Sequence, residues 1–353
     1  MKRILLVGAG HAHACALAAF ARQPLGAAQL TVLAPHERQI YSGMLPGVIA
    51  GHLRREEAEF DAEALASRAG ARFVKGSATA LDPLRRCVSL EDGQALEYDI
   101  LSLNVGSTVD TSLAGSAQYA LPVKPFERLA GVADYLPGRH VAIVGGGAAG
   151  CELAMAMRHA GAEASIYAEH PALGPRAQRR LAARLRRLGI SFIGNPATAI
   201  EEGPVVVSGT SRADYDLVVL AAGATPLAWL RDCGLASDER GFIAVDAELR
   251  STSHRQVFAV GDCATLNDSP HPKSGVFSVR HGELLARNLR HLVSGADLEA
   301  YRPQRRALVL LTCGGKYAIA ERGAWSAEGR WVWWWKKWID RRWLKRLKGP
   351  DPR

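Results

Sequence analysis

The chain has 353 residues, is 48% hydrophobic and 22% charged, and carries six cysteines with no CxxC spacing among them. That excludes a disordered, collagen-like or disulfide-stapled protein, and at this length two or three modules are expected rather than one core. The formal net charge of +9 points first to nucleic acid, an anionic membrane or an acidic substrate, while no 18-residue apolar window offers a spanning helix.

The first apolar run is too short for a signal peptide and reads as a strand entering a glycine turn, so an intracellular protein is expected. A strand at Ile4–Val7 leads into Gly8-Ala9-Gly10, an alanine-rich helix over 12–22 and a second strand over 30–33. A further strand over 98–105 ends in Gly106, and the two prolines of Leu121-Pro122-Val123-Lys124-Pro125-Phe126 mark a rigid crossover. The pattern then repeats: a strand over 141–144, the glycines 145–147 and Gly150, a helix over 151–160, a strand over 164–167, and a strand over 215–222 ending in Gly223. Arg179, Arg180, Arg184, Arg186 and Arg187 read as the solvated face of a helix. The expected fold is α/β, with two Rossmann-like dinucleotide-binding domains, the first interrupted by the second, and a small C-terminal module.

A GxGxxG turn lets the backbone approach a pyrophosphate, which sits on the free N–H groups of the following helix. The second copy is complete at Gly145, Gly147 and Gly150, with Glu152 in the first helical turn. In the first copy His13 stands where the third glycine belongs, and looser packing of helix on strand is expected there. Ala34 and Ala168 occupy the places of the acid that would bind a ribose hydroxyl. Glu169 lies one residue on and Glu37 is more distant; with Arg176 nearby, NADH and NADPH both stay open. His11 and His13 have no matching ligands close in sequence, so hydrogen bonding or solvation is expected of them and no metal.

Residues 251–263, Ser-Thr-Ser-His-Arg-Gln-Val-Phe-Ala-Val-Gly-Asp-Cys, resemble the C-terminal FAD motif of the pyridine nucleotide-disulfide oxidoreductase family of two-dinucleotide-domain flavoproteins. Within it the chain is most similar to type II NADH dehydrogenases and to the flavoprotein module fused to selenide, water dikinase. Tyr41-Ser42-Gly43-Met44-Leu45-Pro46-Gly47, Val123-Lys124-Pro125 and the ending from Gly329 through Arg342 carry that second likeness. The resemblance implies an FAD-binding domain over 1–118 and 239–298, an NAD(P)H-binding domain over 119–238, and a C-terminal module over 299–353 with its tail at 329–348. It implies that Gly8, Gly10, His11, Ser42, Gly43, Ala78, Gly106, Gly261, Asp262 and Val276 hold FAD, with Asp262 on the ribityl chain and a helix from Val276 to Asn288 facing the flavin. For NADH or NADPH it implies Gly145, Gly147, Gly150, Glu169 and Gly223. Glu152 would lie near the nicotinamide, and Lys124 near the flavin, where a cation stabilises a reduced, anionic ring.

The resemblance stops at three places. No redox cysteine pair is present, so disulfide reduction is not expected. Cys151 and Cys313 read as small buried apolar residues rather than the placed cysteines of sulfide:quinone oxidoreductases. The Ala-Gln-x-x-Glu-Gln quinone signature of type II dehydrogenases is replaced by Gly275, Val276, Val279 and Arg280. The implied function is an FAD-dependent NAD(P)H oxidoreductase that passes electrons to a quinone or similar acceptor. The alternatives are an accessory flavoprotein of selenium or sulfur metabolism and a non-enzymatic FAD/NAD-sensing docking protein, and a homodimer stays open.

Arg330–Lys348 holds six tryptophans, eight bases and one acid, Asp340. As a helix of about 28 Å it could reach across a bilayer core, but nine charges forbid spanning. Trp331, Trp335, Ile339 and Trp343 form one stripe with Val332, Trp334 and Trp338 beside it, and Lys336, Lys337, Asp340 and Arg341 are expected opposite. Such a helix lies in an anionic interface or folds back on its own protein. With the tail removed, 36 bases face 34 acids, so the basic charge is local. The expected partner is therefore an anionic membrane surface rather than nucleic acid, and the expected location is cytoplasmic, attached to the inner face of the membrane.

Overall fold

The computed structural model describes residues 1–171 and 173–349; residues 350–353 of the expected C-terminal module lie outside the described residues. Apolar, β-branched segments form two five-stranded parallel sheets whose central strands are buried on both faces, as such runs require. In the first, the order is Val257–Ala259, Ile100–Leu103, Lys2–Val7, Ala28–Ala34, Arg72–Lys75. In the second it is Leu121–Pro122, Leu217–Leu220, His140–Val144, Glu163–Tyr167, Ser191–Ile193. A three-stranded antiparallel sheet is inserted at the same point of each unit, Ala78–Asp82 to Ala95–Glu97 and Ala199–Glu201 to Ser211–Asp214. Between the units Thr108–Val109 pairs antiparallel with Ala224–Thr225.

The strand Val257–Ala259 completes the first sheet after the chain has built all of the second. Helix His11–Arg22 packs on helix Gly275–Ser294 so closely that a side chain at Gly282 would overlap the Ala12 carbonyl. His13, at the place of the missing glycine, is fully buried: its Nδ1–H donates to the Gly8 carbonyl at 2.5 Å and its Nε2 accepts from the Ser102 hydroxyl at 2.8 Å. Burial pushes its pKa down to about 4, so the neutral ring ties helix to sheet. The expected loosening is not found, because two hydrogen bonds do what close glycine packing does in the other unit.

The C-terminal part forms an antiparallel sheet, Val309–Thr312, Ala318–Arg322 and Trp325–Gly329, followed by helix Arg330–Lys348. Leu311, Cys313 and Ile319 join the core of the second unit, whereas Trp343, Leu344 and Leu347 join that of the first. Burying each of the leucine and isoleucine side chains among these contributes roughly 1.5–3 kcal/mol. The module thus spans both units. It also engages the arginine-rich helix Pro175–Arg187, read from sequence as solvated: Arg180 pairs with Glu328 at 2.6 Å, and Arg184 donates to the Cys313 carbonyl and lies 4.6 Å over the Tyr317 ring. Residues about 130 to 150 positions apart supply those partners, which a local charge pattern does not show.

Candidate cofactor cleft

The carboxyl ends of the two sheets are built alike. Gly8 (φ +89°) and Gly145 (φ +132°) adopt turns open to glycine, and a side chain on either would overlap the backbone carbonyl of Asn104 or Ala221 on the neighbouring strand. Two residues further on, past the ends of those neighbouring strands, Gly106 and Gly223 face space: a Cβ built on either, or on Gly147, meets nothing within 4 Å. Each floor lies beside a helix N-terminus, at His11 and at Ala148. Gly150 backs onto the Gly145 carbonyl. Open floors, glycine turns and helix ends at the carboxyl edge of a parallel sheet fit the pyrophosphate of a dinucleotide.

In the first cleft Asn104, which sequence reasoning missed, is buried behind the turn. Its Oδ1 accepts the His13 backbone N–H and its Nδ2 donates to the Val260 carbonyl, fixing helix, turn and last strand together. The signal was present as a polar residue ending an apolar strand. Asp262 sits in the turn Gly261–Cys263, where Lys124 Nζ lies 2.8 Å from its Oδ2 and 2.8 Å from Ser107 Oγ. Burial works against the carboxylate charge, but Lys124, together with His11 and Lys273, holds the carboxyl below its ordinary range. Gly261 N–H donates to His281 Nδ1 at 3.0 Å, and burial keeps that imidazole neutral at a pKa of about 3. Gly275 opens its helix against the His11 ring, and Val276 is 40% exposed beside it. Ala78 starts a strand just past the sheet edge, where Gly76 N–H bonds the Ala34 carbonyl.

The loop chosen from sequence, Tyr41 to Gly43, lies under the tail helix. Ser42 Oγ is 3.4 Å from His11 Nε2, and the Trp343 ring stacks on Tyr41 at 4.4 Å and on His11 at 5.1 Å. Lys336 Nζ donates to the Gly43 carbonyl at 2.6 Å and to Asp340 Oδ2 at 2.8 Å, and Tyr41 donates its phenol to Asp340 Oδ1 at 3.0 Å. The sequence placed Lys336 and Asp340 on the solvent side of the helix. Both are buried, because an i,i+4 Lys–Asp pair that also satisfies a carbonyl and a phenol can enter the interior. Burial alone would lower the Lys336 pKa, yet Asp340 and then Glu152 raise it above its ordinary value. The Trp343 indole N–H is buried and is set against the Cys15 thiol. The open floor at Gly106 is what a bound flavin would cover.

Glu152 accepts the Thr312 N–H at 2.7 Å, which ties the second unit to the C-terminal sheet. Burial raises its pKa and Lys336 opposes the rise, so Glu152, Lys336, Asp340 and Tyr41 share one buried electrostatic group between the two clefts. Glu169 is exposed two residues past the strand Glu163–Tyr167, and residues 168–170 lie directly against the glycine turn at Gly146. Cys151 and Cys313 are fully buried; burial pushes the Cys151 thiol up to about 12 and Cys313 higher still, so both are inert thiols at neutral pH. Among the described residues no three His, Cys, Asp or Glu side chains gather as metal ligands.

Residues 2–282 match the family model described as pyridine nucleotide-disulphide oxidoreductase. Ferroptosis suppressor protein 1 of Xenopus laevis is 24% identical over 262 residues, 67% of this chain and 68% of that protein. The NADH dehydrogenase-like protein YutJ of Bacillus subtilis is 25% identical over 260 residues, 69% of this chain and 71% of that one. The nitric oxide reductase FlRd-NAD(+) reductase of Aeromonas hydrophila is 34% identical over 197 residues, 52% of this chain and 50% of that one. The fold is shared with the sulfide:quinone oxidoreductase of Aquifex aeolicus (TM-score 0.83, 16% identity, 99% of this chain and 92% of that one). It is shared equally with NDH2 of Plasmodium falciparum (TM-score 0.83, 13% identity, 98% and 97%). The chain belongs to the pyridine nucleotide-disulphide oxidoreductase family, and by that membership it is an FAD-dependent NAD(P)H oxidoreductase.

Proposed function

We propose that the protein oxidises NAD(P)H and delivers the electrons to a quinone or similar acceptor at an anionic membrane surface. The observation that carries this reading is the two-faced tail helix. Inward, Trp343, Lys336 and Asp340 close over His11 and the loop 41–43. Outward, Trp331, Trp334 and Trp338 are each more than half exposed, with Lys337 over the Trp333 and Trp334 rings and Arg342 over Trp338. Exposed indoles with neighbouring cations suit the headgroup layer of anionic lipid. In this reading one 19-residue helix carries both the lipid-facing indoles and the residues that cover the cleft. Among the described residues no helix is long and apolar enough to cross a membrane.

In this reading Gly8, Gly10, Gly106 and Gly261 shape the first cleft, Asp262 takes the ribityl hydroxyls, and Gly145, Gly147, Gly150 and Gly223 shape the nucleotide cleft. When bound, the flavin would accept hydride from the nicotinamide and supply electrons to the acceptor. Lys124 stands beside Asp262 at the flavin floor, and the Glu152 carboxyl stands where a proton can be held between the clefts.

The three tryptophans are more than half exposed, although Trp334 meets the edge of buried Trp333 at 4.9 Å and Trp331 stacks on Trp335 at 6.3 Å between ring centroids. The triple variant Trp331→Ser, Trp334→Ser, Trp338→Ser should fold normally and lose more than about tenfold in binding to vesicles containing anionic lipid, read by co-sedimentation. Unchanged vesicle binding contradicts the interfacial role.

A further inference from the structure

The second cleft carries mixed signs at its ribose end. Glu169 is exposed between Ala168 and His170, which lie against the glycine turn at Gly146, while Arg176, Arg179 and Arg180 open the next helix and could read a phosphate. The C-terminal sheet decides between them. Arg176 Nη1 donates to the Ala324 carbonyl at 3.0 Å, and Arg180 is paired with Glu328 at 2.6 Å. The Glu321 carboxylate lies against Gly174, where helix Pro175–Arg187 begins, so the helix end that would attract an added phosphate already faces an anion. Of these arginines only Arg179 has no partner among the described residues.

We infer that the nucleotide cleft selects NADH over NADPH, with Glu169 reading the unmodified ribose diol and the C-terminal sheet withholding Arg176 and Arg180 from a 2′-phosphate. A carboxylate accepts two hydroxyl hydrogen bonds and repels a phosphate dianion, so one residue supplies both preference and rejection. This rests on assigning the second cleft to the pyridine nucleotide.

Two measurements on the FAD-loaded protein test it. In calorimetric titration, ADP-ribose should bind at least tenfold more tightly than its 2′-phosphate. In anaerobic mixing, NADH should reduce the flavin with at least tenfold higher efficiency than NADPH. Glu169→Arg should move both ratios toward the phosphorylated ligand by more than tenfold, and Glu169→Gln should weaken ADP-ribose while improving the 2′-phosphate. Equal or tighter binding of the 2′-phosphate by the unaltered protein, or ratios insensitive to both substitutions, overturns the inference alone. If neither nucleotide binds or reacts, the nucleotide assignment fails as well.

Discussion

Replacing Lys336 by methionine should destabilise the protein by about 3–5 kcal/mol, because it leaves Asp340 charged and buried without its cation. The two side chains are 9% and 11% exposed, 2.8 Å apart, and Lys336 also satisfies the Gly43 carbonyl. Since the Lys336 pKa is raised in the folded state, its contribution is fully present at neutral pH and is lost only as the pH climbs through that raised value in the alkaline range. Urea unfolding of Lys336→Met and of the double variant Lys336→Met, Asp340→Asn separates charge from packing. The double variant should recover much of the loss, because the uncompensated carboxylate is gone. The cleft should respond too, as Tyr41, Gly43, His11 and Trp343 all lean on this group.

Asp262→Ala should lower flavin affinity by about 10- to 100-fold, the worth of one or two hydrogen bonds to a charged acceptor. It also leaves Lys124 with only Ser107. Flavin retained through gel filtration, measured from visible absorbance per protein, reads the loss directly. The carboxyl's folded pKa lies below its ordinary 3.8. Its contribution to stability is therefore complete above that value and disappears as pH falls through the folded one, and Asp262→Asn should blunt the acid limb of the unfolding curve. Retention of a full flavin complement by Asp262→Ala would remove this residue from the site.

The repeated strand, glycine turn and helix were legible because their signals are local: Gly145 to Gly150 set the turn, and periodicity set the helices around it. The tail helix was legible for the same reason, down to its bounds at Arg330 and Lys348. Its inward face was not, because Tyr41 meets Asp340 across 299 positions of chain and a helical wheel shows the apolar stripe but not what covers it. Lys336 and Asp340 looked like solvent-facing charges for the same cause. His13 misled in the opposite way: a departure from the glycine motif carries its own replacement, visible only once Ser102 is beside it. The arginine-rich helix looked solvated until Glu328 and Tyr317 arrived from the C-terminal sheet. Local chemistry is written in short spacings; the partners that decide burial and charge are not.

If the two clefts bring a nicotinamide dinucleotide and a flavin together for hydride transfer, anaerobic addition of NADH to the purified yellow protein should bleach the visible flavin absorbance within the mixing experiment, and a soluble quinone should restore it. A protein that carries flavin but keeps its colour with both NADH and NADPH would contradict hydride transfer between the clefts.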